Sequence, residues 1–134
     1  MIEKLLDSHE QHLSQIQGEG LVPSHCDPNP GNVLATPTTA YLIDWDQLHL
    51  SDPVRDIAQV LWWQYPLSEW DELLTMFAVD LTNRQQRERF FLSVSIWSLR
   101  VALFFIQLSH EQYISEFLLD AQRTLHQELP NRLL

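Results

Sequence analysis

A group of aspartates lies between positions 27 and 56 with a single Lys or Arg, Arg55, among them. The acids are Asp27, Asp44, Asp46, Asp52 and Asp56. Because carboxylates repel one another, a group brought together without basic partners usually needs a cation. Asp and Asn oxygens are hard ligands, of the kind that holds Mg²⁺ through a few protein oxygens plus substrate phosphates. This segment therefore predicts a divalent-metal site.

Two short strands decide which of these side chains meet. Residues 32–35 and 40–43 read as strands joined by a Thr-Pro-Thr-Thr turn, which makes a hairpin. Antiparallel pairing puts Asn32, which opens the first strand, beside Asp44, which closes the second, with the strands about 4.8 Å apart. Asp27 precedes Asn32 in a proline-rich loop that can fold back over the same end. We therefore expect Asp27, Asn32 and Asp44 to converge on one small volume.

The rest of the chain is predicted to be helical. Apolar spacing and capping patterns give helices at about 2–16, 53–65, 69–79, 83–108 and 109–128. The expected caps are Asp52 (with Pro53 at the first helical position), Ser68, Thr82 and Ser109. Asp and Asn are also common turn residues, so a purely structural role for the acidic loop stays open at this point.

One predicted segment, 90–108, is long enough to span a membrane. Arg100 lies at its centre, and a charge there is costly in lipid. We expect instead a core helix in which Arg100 neutralises a buried acid, and no membrane span. The predicted fold class is thus mainly α with one small β-hairpin, in a single domain covering residues 1–134.

The composition limits which kinds of molecule the chain can bind and where in the cell we expect it. The 134 residues include 8 Lys plus Arg and 18 Asp plus Glu, a formal charge of −10. Nucleic acid is excluded as a non-specific partner, because phosphate contacts need Lys and Arg. The one cysteine, Cys26, cannot form an internal disulfide, and the first residues do not read as a signal peptide. Both observations favour a cytoplasmic location.

Three sequence motifs, in their order along the chain, resemble segments of a known protein family. Residues 25–32, His-Cys-Asp-Pro-Asn-Pro-Gly-Asn, match the spacing H-x-D-x-x-x-x-N of kinase catalytic loops. Residues 42–45 read Leu-Ile-Asp-Trp, and residues 51–58 read Ser-Asp-Pro-Val-Arg-Asp-Ile-Ala. Together they resemble the H-G-D-x-x-x-x-N, I-D-W and G-D-P-x-x-D-L-A segments of the aminoglycoside phosphotransferase and choline kinase family, which shares the protein-kinase fold.

The resemblance implies roles for individual residues. Asp27 would be the catalytic base or orienter for the substrate hydroxyl. Asn32 and Asp44 would hold the Mg²⁺ that bridges the phosphates of ATP. His25 would fix the loop, and Asp56 would accept hydrogen bonds from backbone amides of that loop. The substrate would be a small hydroxyl-bearing molecule, with cationic amino compounds as the favoured class.

The chain departs from the family pattern in two ways. Cys26 and Ser51 stand where the family commonly has Gly. More importantly, only 24 residues precede the first motif, and they hold the single lysine, Lys4. The family's ATP-gripping amino-terminal lobe is not represented, so we expect a carboxy-terminal lobe of the protein-kinase-like fold that has little or no kinase activity alone.

Two other interpretations stay open. The chain could be a non-catalytic interaction module that self-associates or binds a partner chain, such as an amino-terminal lobe, through the apolar face that a missing lobe exposes. It could also be a metal-dependent phosphoesterase that uses the same carboxylates. The five tryptophans could hold an ammonium substrate, but core filling is the favoured interpretation for each.

Overall fold

The structure, a computed structural model, describes residues 2–15 and 20–131. Its helices are α1 (Ile2–Gln15), α2 (Pro53–Gln64), α3 (Trp70–Met76), α4 (Arg84–Gln107) and α5 (Glu111–Leu125). Its strands are β1 (Val22–Ser24), β2 (Val33–Ala35), β3 (Ala40–Leu42) and β4 (His49–Ser51). The mainly helical class predicted from the sequence is confirmed for this part of the chain.

The predicted hairpin is present as β2 and β3. The strands are antiparallel, and Val33 pairs with Leu42 and Ala35 with Ala40. The first strand begins one residue later than predicted because Asn32 closes a 3₁₀ turn, residues 30–32. The pairing nevertheless continues by one hydrogen bond, from the Ile43 amide to the Asn32 carbonyl at 2.8 Å.

A second two-stranded sheet was not predicted, so the expectation of one hairpin is incomplete. β1 pairs antiparallel with β4, with Val22 opposite Ser51 and Ser24 opposite His49. Each strand has three residues and one contains Pro23, so neither gives an alternating pattern that a sequence reader can detect. This sheet anchors the chain directly before the loop at residues 25–32.

The core forms where α4 packs against α2 and α5. Ser95, Ser98 and Ala102 on α4 are fully buried, and such small side chains allow close approach of neighbouring helices. The Ser95 hydroxyl lies between two partners, the Ala121 carbonyl of α5 at 2.5 Å and the Nε2 atom of His9 in α1 at 2.9 Å. By length and composition alone α4 could cross a membrane, and half of its most apolar window is buried inside the fold, a property shared by core helices.

The helix ends test the predicted caps. Asp52 caps α2 as predicted: its carboxylate accepts a hydrogen bond from the Val54 amide at 2.9 Å and also binds Arg89 of α4. The other three predictions were wrong in detail. Asn83, not Thr82, caps α4, and Ser68 lies inside the 3₁₀ turn 67–69 before α3.

Ser109 is not a cap of α5. Its φ of +57° places it in the left-handed region that ends α4, and His110 precedes α5 without a side-chain cap. In a sequence, a residue that ends one helix and a residue that caps the next give the same signal of a helix boundary.

The prediction for Arg100 was wrong. Its side chain is exposed, and its guanidinium lies 4.5 Å from the centroid of the Trp97 ring. No ion pair joins it to an acid among the residues that the structure describes. The cation therefore rests on an aromatic face instead of neutralising a buried carboxylate.

His9 gives the fold a pH dependence. This buried residue of α1 has Nδ1 2.5 Å from the Leu5 carbonyl and Nε2 2.9 Å from the Ser95 hydroxyl. Burial lowers the pKa of His9 below its ordinary value of 6.5. As the pH falls below about 6.5, the unfolded chain therefore takes up this proton before the folded chain does.

The stabilisation that depends on neutral His9 is complete above the ordinary histidine pKa and is lost as the pH falls toward the pKa of the folded state. We expect the free energy of unfolding to fall between pH 7.5 and 5.5 with a His9 contribution of at most about 1.4 kcal/mol per pH unit. Urea unfolding at several pH values measures it. His9→Gln should flatten this dependence, whereas His126→Gln, at an exposed position after α5, should leave it unchanged; equal effects of both variants would refute the assignment.

Candidate functional site

The loop at residues 25–32 is held in a fixed shape by its own backbone. Cys26 has a φ of +64°, a left-handed conformation that is unusual for a residue with a side chain. Asn29 caps the following 3₁₀ turn, because its side chain accepts from the Gly31 amide at 2.8 Å. A Cβ at position 31 would lie only 2.9 Å from the Asn29 Oδ1 atom, so this contact favours glycine there.

Asp27 and Asn32 meet at the end of this loop. The Asn32 Nδ2 atom donates to the Asp27 carbonyl at 2.9 Å and to the Asp27 carboxylate at 3.3 Å. Because both contacts use the amide nitrogen, the Oδ1 atom of the buried Asn32 remains for another partner. The structure thus joins two of the three residues that were predicted to converge, the expected catalytic residue Asp27 and the expected metal ligand Asn32, by direct side-chain contact.

Asp44 reaches the same place through the backbone. It follows Ile43, whose amide bonds to Asn32, and its left-handed conformation, with φ of +62°, turns the chain as β3 ends. Its side chain is exposed, and no hydrogen bond or ion pair to a described residue engages its carboxylate. Asp44 is therefore a neighbour of Asn32 along the hairpin, without a direct contact between its carboxylate and the other two side chains.

His25 connects the loop to the segment around Asp44. Its Nε2 atom donates to the Ile43 carbonyl at 2.8 Å, and its Nδ1 atom accepts from the Asp27 amide at 3.2 Å. These two bonds require the tautomer with hydrogen on Nε2. The ring also packs edge-on against Trp45, with centroids 4.6 Å apart. One buried imidazole thus positions the backbone at both Asp27 and Asp44.

Asp56 supports the loop from α2. Its carboxylate accepts from the His25 amide at 2.8 Å and from the Cys26 amide at 3.1 Å. Both donors belong to the turn in which Cys26 is left-handed, so the carboxylate stabilises a backbone conformation that is costly by itself.

Removing the Asp56 carboxylate is expected to destabilise the protein. Asp56→Ala leaves two backbone amides of a largely buried turn without their acceptor, at a cost of about 1–3 kcal/mol each. We expect the free energy of unfolding to fall by about 2 kcal/mol or more in urea titrations. Asp71→Asn, at an exposed position of α3, is the matched control and should change it by less than about 0.5 kcal/mol. A loss that is equal in both variants would show that Asp56 does not hold the loop.

A cavity of about 690 Å³ opens beside Asp27, and sequence reasoning missed it. Its walls come from the loop at residues 25–32, from α2 and from α4, and include Gln59, Trp97 and Arg100. These residues are far apart in sequence and carry no motif. Trp62, Trp70 and Trp97 are buried, in keeping with core filling, whereas Trp45 is about half exposed.

The donor set at Asp27, Asn32 and Asp44 suits a hard cation. It contains two carboxylates and an amide oxygen, the ligand types that Mg²⁺ prefers. Among the described residues, no three His, Cys, Asp or Glu side chains form a closed cage. Sites that hold Mg²⁺ through one or two carboxylates and substrate phosphates do not need such a cage.

A family model agrees with these observations. Residues 1–91 match the model described as "Phosphotransferase enzyme family". The match runs from α1 into α4, so it includes both small sheets and α2 and contains Asp27, Asn32, Asp44 and Asp56. It covers more than half of the 134 residues. The chain therefore belongs to the phosphotransferase enzyme family.

Proposed function

We propose that this chain is the carboxy-terminal lobe of a small-molecule kinase that resembles aminoglycoside phosphotransferases and choline kinases and depends on ATP and Mg²⁺. The observation that supports this most is the contact between Asn32 and Asp27, together with the bond that places Ile43, and hence Asp44, beside Asn32. The family match covers all of these residues.

In this proposal Asp27 acts on the acceptor hydroxyl, and Asn32 and Asp44 bind the metal ion. The Asp27 carboxylate orients the acceptor hydroxyl and takes its proton, while the acceptor oxygen bonds to the γ-phosphorus and the bond from that phosphorus to the leaving oxygen of ADP breaks. The Oδ1 atom of Asn32 and the Asp44 carboxylate would hold Mg²⁺. When bound, the ion would neutralise charge that develops on the transferred phosphoryl group.

The supporting residues keep these groups in place. His25 ties the amide of Asp27 to the carbonyl before Asp44, and Asp56 holds the turn between His25 and Asp27. Phosphoryl transfer depends mainly on positioning and on charge stabilisation. A rigid loop of this kind is therefore part of what the reaction requires.

An exposed apolar patch supports the lobe assignment. It lies on the hairpin and on the segment that follows it, and consists of Leu34, Tyr41, Trp45, Leu48 and Leu50. The three most exposed of these, Leu50, Tyr41 and Leu34, are 62%, 57% and 56% exposed. Exposed apolar side chains that are concentrated in one segment of the chain favour a contact surface, and we propose that they face an ATP-binding lobe. Should the chain be an interaction module instead, light scattering would show stable self-association without any nucleotide.

The test is transfer of labelled γ-phosphate from ATP to a small hydroxyl compound by the encoded polypeptide at full length, with whatever the gene places before residue 1. We expect transfer that requires Mg²⁺, whereas the 134-residue chain alone should be at least about 1,000-fold slower than the 1–100 s⁻¹ usual for kinases. Transfer by the chain alone at ordinary kinase rates would refute the lobe assignment. Mg²⁺-dependent hydrolysis of a generic phosphoester, insensitive to ATP, would favour a phosphoesterase.

A further inference from the structure

The cavity beside Asp27 has the size and position of an acceptor site. Its volume of about 690 Å³ falls within the usual 300–1,000 Å³ of small-molecule pockets. Asp27 and Asn29 line it on the loop side, and α2 and α4 supply the opposite walls. A molecule bound there would lie against the carboxylate that the proposed reaction needs.

We infer that this cavity takes a hydroxyl-bearing acceptor with a flat, apolar body and an anionic group, such as a carboxylate, that Arg100 recognises. The inference rests on the proposed function, because it treats Asp27 as the residue that receives the acceptor hydroxyl. It differs from the cationic class of acceptor that the family resemblance favours.

The side chains that line the cavity favour a ligand with a flat, apolar body. Aromatic side chains from both helices line the cavity: Trp62, Trp63, Trp97, Phe104 and Phe105. Aromatic faces favour flat, apolar ligands that stack or pack edge-on. A flexible, highly hydroxylated molecule would leave many of its own polar groups against these rings without partners.

The charged residues that line the cavity favour a ligand with an anionic group. Asp27 and Arg100 are the charged residues among the described residues that line the cavity, and no carboxylate pairs with Arg100. The guanidinium already covers the Trp97 ring at 4.5 Å, so it repels an ammonium group from that face. In a chain with a formal charge of −10, this unpaired arginine at the cavity is the group that selects a carboxylate, which it can bind with two parallel hydrogen bonds.

Three probes that share a ring and a hydroxyl test this choice: 4-(hydroxymethyl)benzoate, 4-(hydroxymethyl)benzamide and 4-(hydroxymethyl)benzylamine. Each is titrated into the full chain by calorimetry, without nucleotide. We expect the benzoate to bind about 10-fold more tightly than the amide and the benzylamine to bind most weakly, since a charged hydrogen-bonded pair contributes roughly tenfold or more.

Arg100→Gln should lower the affinity for the benzoate about 10-fold and leave that for the amide within about twofold. Arg100 is exposed, so the variant should fold. Arg84→Gln removes the same charge from the exposed first turn of the same helix, away from the cavity, and should change neither affinity. Tighter binding of the benzylamine, equal effects of the two variants, or no binding of the benzoate would each overturn the inference.

This readout is separate from phosphoryl transfer. If the benzoate binds through Arg100 and the full-length polypeptide transfers no phosphate, the recognition chemistry stands and the kinase proposal fails. If the polypeptide phosphorylates the benzylamine in preference to the benzoate, the kinase proposal stands and the inference about Arg100 fails.

Discussion

Replacing Asp27 by Asn should lower the rate constant for phosphoryl transfer, kcat, by about 10²–10⁴-fold in the full-length polypeptide, which is the usual contribution of a positioned general base. Asn removes the proton acceptor but keeps a side-chain oxygen that can receive the bond from the Asn32 amide. The loop should therefore keep its shape, and the KM for ATP should change little. Steady-state assays with purified protein measure both constants.

The control for this variant is Asp71→Asn, which makes the same chemical change at an exposed position of α3. It should leave kcat within about twofold, since exposed substitutions rarely matter. If Asp27→Asn also keeps kcat within about threefold, Asp27 is not the base and another group must receive the proton.

Replacing Asp44 by Asn should weaken binding of Mn²⁺, used as a spectroscopic substitute for Mg²⁺, by about 100-fold or more. Removing an outer-shell partner of a ligand already costs 10–100-fold in metal affinity, and Asp44 is proposed as a direct ligand. Its exposed carboxylate makes no hydrogen bond to a described residue, so the substitution should cost little stability. Electron paramagnetic resonance of free Mn²⁺ during a titration of the chain measures the affinity.

Asp71→Asn again supplies the comparison, because it lowers the net negative charge by the same amount without touching the proposed ligands. An equal loss of Mn²⁺ affinity in the two variants would mean that the acidic chain attracts the ion through its overall charge and that no specific site exists at Asp44.

Local rules account for the elements that the sequence predicted well. Asp52 followed by Pro53 begins α2 because the cap and the fixed φ act within one turn. The hairpin follows from two short apolar runs around a Thr-rich turn, whose Thr36 amide bonds to the Thr39 carbonyl at 2.7 Å. Interactions over four to ten residues can be read from spacing alone.

Features that depend on distant partners escaped prediction. β1 exists because β4, more than 20 residues away, pairs with it, and no local pattern shows this. The apolar residues around Arg100 predict that it is buried and paired with an acid. In the structure, the orientation of α4 leaves Arg100 exposed, with its guanidinium over the Trp97 ring. The face of a helix that meets solvent depends on which neighbours pack against the other side.

The candidate site also has one part that follows from local sequence and one part that depends on distant residues. The meeting of Asp27 and Asn32 follows from a five-residue spacing closed by a proline-rich turn. The cavity beside them does not, because Gln59 and Trp97 lie on helices separated by α3 and come together only through the packing of α2 against α4. A motif can therefore locate the reacting groups, while the acceptor recognition requires the tertiary structure.

The location of the bound ion can be measured by adding Mn²⁺ in small amounts to the ¹⁵N-labelled chain and recording the loss of amide signals by nuclear magnetic resonance. Paramagnetic broadening falls steeply with distance from the ion. We expect the first signals to disappear to be those of Asp27, Asn32 and Asp44 together, and Asp44→Asn to restore them. Broadening that is centred elsewhere, for example on the acidic first turn of α3 at Asp71 and Glu72, with these three signals intact, would contradict the assignment of a phosphotransfer site to this loop and hairpin.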